Sequence, residues 1–180
     1  MLFRSTRVKA YIALMKLRVV ELLLVTTLPA LFLSANGVPS LKITLATLIG
    51  GTLAAGASNA FNMAIESESD RLMARTSNRP VASGEISETK AFYFASILTV
   101  ISLTIFSVFT NVLATVLTGA AIVIYVLGYT IILKRRTSQN IVWGGIAGCM
   151  PVLIGWAAIS GKLSRSEEHT SELQSHHDLV

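Results

Sequence analysis

The sequence predicts an all-α membrane protein, a polytopic helical bundle with about five transmembrane spans. The first observation is how the apolar residues are distributed. They make up 52% of 180 residues, with a mean hydropathy of +0.63, and they are bunched into long runs. The second is the placement of basic residues. Twelve of the fifteen Lys and Arg fall in alternate connections, as the positive-inside rule requires. The net charge of +5 is therefore read as a topology signal, and no nucleic-acid partner is expected.

Five segments approach the roughly 20 apolar residues needed to cross a bilayer: 19–35, 41–64, 91–108, 112–133 and 141–159. The first follows a basic stretch with Arg4, Arg7, Lys9, Lys16 and Arg18, and no convincing signal-peptide cleavage site comes after it. Asn36-Gly37-Val38-Pro39-Ser40 turns the chain into the second span, and Phe109-Thr110-Asn111 turns the third into the fourth. Both connections are short, so the helices they join pack antiparallel. The 66–90 connection (Arg71, Arg75, Arg79, Lys90) and the run Lys134-Arg135-Arg136 lie on the N-terminal side of the membrane, expected to be cytoplasmic. Small residues crowd the second and fifth spans (Gly50, Gly51, Ala54 to Ala57; Gly144, Gly145, Gly148, Gly155). Close helix packing is the first reading of them, and room for a prenyl chain the second. Cys149, the one cysteine, sits in an apolar run and suggests neither a disulfide nor a metal site.

The chemistry is expected at the end of the second span, in Ser58 to Pro80, where an apolar helix gives way to a dense run of acids and bases. Asn62, Glu66 and Asp70 are spaced i, i+4, i+8. A helix continued through them puts all three on one face, whereas Glu68 points elsewhere. Two carboxylates one turn apart repel and ask for a cation. Mg²⁺ suits Glu66 and Asp70, since it takes one or two carboxylates and completes its octahedron with water and substrate phosphates. Arg75 and Arg79 follow, and Arg binds phosphate in bidentate fashion. Lys134 and Arg135 are further phosphate candidates, although three bases after a span are more often a topology signal. A solvated boundary of acids and arginines at a helix exit is the bland alternative for the whole run.

These residues resemble a known family. Asn59 and Asn62 with Glu66, Glu68, Asp70, Met73, Arg75-Thr76 and Arg79-Pro80 look like the first acidic motif of the protoheme IX farnesyltransferases (heme O synthases), which are UbiA-type intramembrane prenyltransferases. Lys16-Leu17-Arg18-Val19 with Glu21-Leu22-Leu23 is similar to the family's entry to its first helix. Tyr129-Thr130, Lys134 to Thr137, Gln139 to Val142, Gly144-Gly145, Gly148, Pro151 and Ile154 to Ala158 are similar to its fourth loop and fifth helix. The resemblance covers nearly all of residues 8–161. It departs at positions 66 and 68, where the family has aspartate and this chain has glutamate.

The resemblance implies a nine-helix fold of which residues 1–164 are the N-terminal part, a second acidic motif beyond them, and an inactive fragment in the absence of that motif. It implies transfer of a farnesyl group from farnesyl diphosphate to a vinyl group of protoheme IX, giving heme O. Asn62, Glu66 and Asp70 would be catalytic, Glu66 and Asp70 would hold Mg²⁺, and Arg75, Arg79, Lys134 and Arg135 would bind diphosphate. No histidine in the body is available for heme iron, so heme is expected as a substrate held by shape. The lipid bilayer, farnesyl diphosphate and protoheme IX are the implied partners, with contact to heme A synthase or a terminal oxidase assembly, in a bacterial inner membrane. The alternatives are a UbiA-type enzyme acting on an aromatic quinone precursor, and a membrane scaffold or transporter without chemistry.

Residues 165–180, RSEEHTSELQSHHDLV, break the pattern with a net charge of −3 and all three histidines. They are similar to the translation of a sequencing-library adapter and are expected to be a non-native tail.

Overall fold

In the computed structural model the described residues are 2–133 and 140–162, and among them every regular element is helical. In chain order they are α1 (Leu2–Leu14), α2 (Leu17–Ala35), α3 (Leu41–Ile65), α4 (Ser67–Leu72), α5 (Glu88–Phe109), α6 (Val112–Val123), a π-helix (Ile124–Leu133) and α7 (Asn140–Ser160). Helices α2, α3 and α5 are each long and apolar enough to cross a membrane. Their large apolar side chains, Leu22, Val25 and Leu33 on α2, Ile49 on α3 and Ile97 and Val100 on α5, point outward where lipid would lie. The tail 165–180 and the Lys134-Arg135-Arg136 run lie outside the described residues.

The caps follow from the turn residues. Asn36 takes the left-handed conformation at the end of α2, and the Asn36 and Gly37 amides donate to the Leu33 and Phe32 carbonyls. Ser40 caps α3, its hydroxyl accepting from the Ile43 amide at 3.4 Å. Asn111 caps α6, accepting from the Ala114 amide at 2.9 Å. Its side-chain nitrogen also donates to the Ala157 carbonyl of α7 at 2.6 Å, so the α5–α6 hairpin is tied to the last helix by its own cap.

Two close approaches set the packing. Helix α3 lies along α5, where Gly50 faces the Phe106 ring and its carbonyl accepts from the buried Ser102 hydroxyl at 2.7 Å. Helix α2 lies along α7. There Gly155 meets the Thr27 backbone, and the Ser34 hydroxyl donates to the Trp156 carbonyl at 2.9 Å. In both pairs a glycine lets the backbones approach and a hydroxyl locks the register. A core of Leu31, Phe106, Ala114, Ile154, Ala157 and Ala158 fills one end of the bundle. Small residues from α3 and α5 fill the other together with Ala10, Leu14, Val81 and Ile86.

Helix α1 covers the basic stretch before the first span, to which the apolar pattern assigns no element. It is a separate helix, broken from α2 at Lys16, whose backbone is left-handed at φ 50°. That conformation costs about 1–2 kcal/mol for a non-glycine residue, and the break strands carbonyls of the last turn. Asn59 supplies a donor, its side-chain nitrogen lying 3.1 Å from the Met15 carbonyl. Met15 meanwhile packs onto Gly56, where any Cβ would collide with it. Ala10 and Leu14 then bury against α3 and α5, and Tyr11 packs on Phe94 with ring centroids 5.0 Å apart.

Candidate functional site

The acidic run lies at the end of α3. The helix is not continuous through Asn62, Glu66 and Asp70 as the spacing alone implies. It ends at Ile65, Glu66 takes φ −93° and ψ 4°, and α4 begins at Ser67. The i to i+4 ladder nevertheless crosses the junction. The Glu66 amide donates to the Asn62 carbonyl at 3.0 Å, and the Asp70 amide donates to the Glu66 carbonyl at 2.8 Å. The three side chains therefore stay together and are deeply buried, with 3% of Asn62, 6% of Glu66 and 1% of Asp70 exposed, whereas Glu68 is exposed.

The loop after α4 folds back over this pair. Thr76 is buried and its hydroxyl donates to the Asp70 carbonyl at 3.2 Å, and the Arg79 amide donates to the Thr76 carbonyl at 3.0 Å. Val81 and Ile86 are pinned in the core beside Leu14, Met63 and Ala91. Held this way, Arg79 brings its Nη1 to 2.6 Å from Asp70 Oδ2 and 3.7 Å from Glu66 Oε2. The cation that the two carboxylates require is thus supplied within the chain. Asp70 Oδ1, by contrast, is buried with no hydrogen-bond partner. An orphaned carboxylate oxygen at that depth costs on the order of 1–3 kcal/mol or more unless a ligand meets it. Among the described residues there is no group of three acids, histidines or cysteines that would form an all-protein metal cage.

The other expected residues are placed as follows. Arg75 is exposed on the same loop. Arg71, next to Asp70, pairs with Glu88 at 3.7 Å, and Glu88 also accepts from the buried Ser67 hydroxyl at 2.5 Å, so the first turn of α5 braces α4. Lys134 and Arg135 lie outside the described residues.

Sequence reasoning gave no role to Thr130. Its hydroxyl accepts from the Asn62 side-chain nitrogen at 3.1 Å and donates to the Tyr125 carbonyl five residues back at 3.0 Å. That second bond is possible because residues 124–133 are wound as a π-helix, a form that concentrates at functional sites. No period in the apolar pattern announces it.

An apolar cavity of about 110 Å³, partly open to the outside, runs between α2, α3, α6 and α7. Asn59, Ser58 and Tyr125 line it at the end near the acidic run, and Thr47, Thr118 and Ile154 line it farther along. Asn59 is one helical turn from Asn62, so the cavity and the carboxylates share one wall.

A buried carboxylate pair with an arginine thus lies at the end of the same helix α3 that lines an apolar cavity in a bundle with membrane-length helices. The sequence profile of the UbiA prenyltransferase family matches residues 23–172. The chain belongs to the UbiA prenyltransferase family. Its UbiA relatives include the protoheme IX farnesyltransferase of Leifsonia xyli, 57% identical over 159 residues that cover 88% of this chain and 52% of the relative. The protein of that name from Kineococcus radiotolerans is 52% identical over 160 residues, covering 89% and 47%. The one from Streptomyces coelicolor is 52% identical over 160 residues, covering 89% and 51%. This UbiA chain therefore spans about half the length of the curated relatives it matches. No solved structure matches it.

Proposed function

We propose that the protein is a protoheme IX farnesyltransferase, moving the farnesyl group of farnesyl diphosphate onto a vinyl group of protoheme IX, with addition of water, to give heme O and diphosphate. The observation that carries the reading is the buried Glu66–Asp70 pair with its orphaned Asp70 Oδ1, which begins two helical turns beyond Asn59 in the wall of an apolar cavity. The similarity to relatives that bear this name supports heme over other prenyl acceptors.

The donor set fits Mg²⁺, which takes hard oxygens and fills the remaining positions from water and phosphate. Bound at Asp70 Oδ1 and Glu66, it would supply charge neutralisation for the departing diphosphate. The chain's own residues do the rest. Arg79 and the exposed Arg75 present guanidinium donors to the diphosphate oxygens, with Lys134 and Arg135 assigned to the same task. Asn62, fixed by Thr130, holds the wall between the carboxylates and the cavity. The lining of Val20, Leu23, Ala54 and Ile154 offers an apolar surface to the isoprenoid tail and would keep bulk water from the allylic cation. The site faces the cytoplasm of a bacterial inner membrane, with the N-terminus on the same side, and the product passes to heme A synthase or a terminal oxidase assembly.

The test uses a chimera of residues 1–161 with the C-terminal half of the Leifsonia xyli relative, compared with the 180-residue chain alone. With labelled farnesyl diphosphate and Mg²⁺, the chimera is expected to label protoheme IX, and the 180-residue chain to label nothing. Label entering 4-hydroxybenzoate in place of heme would overturn the acceptor, and activity of the 180-residue chain would overturn the need for a second acidic motif.

A further inference from the structure

We infer that Arg79 is a displaceable counter-ion: it holds the Glu66–Asp70 pair, gives way to a divalent cation arriving with diphosphate, and transfers its guanidinium to that diphosphate. The inference rests on the diphosphate-site reading above and adds an order of events to it.

The geometry supplies the argument. Arg79 Nη1 lies 2.6 Å from Asp70 Oδ2 and 3.7 Å from Glu66 Oε2, so it fills the space in which a cation bridging both carboxylates would sit. A doubly charged ion and a guanidinium within a few ångströms of each other repel strongly in a partly buried site. One must leave for the other to bridge the pair. The backbone of the arginine's loop cannot readily leave, because Val81 and Ile86 are buried in the core and the Ser83 amide donates to the Arg79 carbonyl at 2.8 Å. The side chain can swing, being 22% exposed against 1% for Asp70. Asp70 Oδ1 provides the path. It is buried and unpartnered, so an incoming ion can take this oxygen while Arg79 still holds Oδ2, and the carboxylate is never left without a positive partner. Once displaced, the guanidinium has the incoming diphosphate as its nearest new anion, and its planar fork suits it to that partner.

Two consequences follow from this competition. A divalent metal alone binds poorly, because it must evict an arginine that then has no partner. Metal with diphosphate binds well, because each positive group finds an anion. Tight metal binding is thereby coupled to the presence of the diphosphate.

The test is Mn²⁺ binding to the chimera described above in lipid nanodiscs, followed by electron paramagnetic resonance with and without pyrophosphate. It is repeated on Arg79→Gln and Arg79→Lys, with thermal unfolding in Mg²⁺ as a second readout. In the unchanged protein, pyrophosphate is expected to tighten Mn²⁺ binding at least about tenfold, the scale of one neighbouring charge. Arg79→Gln is expected to tighten binding of Mn²⁺ alone by about tenfold or more. Mg²⁺ should also raise its unfolding temperature more than that of the unchanged protein, since a ligand that binds only the folded state stabilises it. Arg79→Lys, which keeps the charge, is expected to bind bare Mn²⁺ as weakly as the unchanged protein. If the unchanged chimera binds Mn²⁺ with pyrophosphate but Arg79→Gln binds bare Mn²⁺ no better, Arg79 is a fixed brace and the exchange is refuted. If Arg79→Gln does not fold even in Mg²⁺, the exchange is likewise refuted, because the metal has failed to replace the arginine. If no form binds Mn²⁺ even with pyrophosphate, the metal-diphosphate reading fails as well.

Discussion

Asp70→Asn in the chimera is expected to lower farnesyl transfer at least about 100-fold, the scale seen when one preorganised charge-stabilising group is removed. Asparagine keeps the volume of a side chain that is 1% exposed but loses the charge. It also turns one of two adjacent carboxylate oxygens into an N–H donor. If that group takes the Oδ2 position it faces the Arg79 guanidinium, and if it takes the Oδ1 position the proposed metal loses its ligand. Glu68→Gln is the contrast. Glu68 is exposed and away from the pair, and its replacement is expected to change the rate by less than about threefold. Initial rates at saturating Mg²⁺ check both.

Gly155→Leu is expected to destabilise the bundle by about 3 kcal/mol, near the upper end for overpacking a tight interface. A Cβ at this position would lie 3.0 Å from Thr27 Cγ2, 3.1 Å from the Thr27 carbonyl oxygen and 3.4 Å from Ala30 Cβ. Two of the three, the Thr27 carbonyl oxygen and Ala30 Cβ, are fixed by the backbone and cannot give way without moving α2. The same contact carries the Ser34 bond to Trp156, so forcing the helices apart breaks that hydrogen bond as well. Gly148 lies on the same helix but its Cβ position is open, and Gly148→Leu is expected to change stability by less than about 0.5 kcal/mol. Denaturant titration of the chain in detergent, followed by helicity, distinguishes the two.

Much of the bundle was legible because a bilayer imposes a coarse signal. Runs of apolar residues near the length of a span, cut by Asn36-Gly37 and Asn111, place the helices to within a few residues of Leu41–Ile65 and Glu88–Phe109. The acids of the site were legible for the opposite reason, since charges at the end of an apolar helix stand out. What the acids do together was not. The Arg79 contact closes a loop of nine residues whose path depends on Val81 and Ile86 finding the core, and neither is distinguishable in sequence from any other aliphatic residue. Helix α1 was missed because its role rests on a left-handed Lys16 and a hydrogen bond from Asn59, forty-four residues away. The π-helix was missed because its extra residue per turn leaves a uniformly apolar stretch looking uniformly apolar. For α1 the decisive interaction is long-range and polar, whereas the readable signal is local and apolar.

The account turns on the claim that Glu66 and Asp70 form a Mg²⁺-dependent diphosphate site, and binding of farnesyl diphosphate to the chimera with and without Mg²⁺ tests it most directly. The account predicts that Mg²⁺ tightens binding at least about tenfold and that Asp70→Asn abolishes this gain while leaving the fold intact. Binding that is indifferent to Mg²⁺, or a Mg²⁺ effect that survives Asp70→Asn, would contradict it.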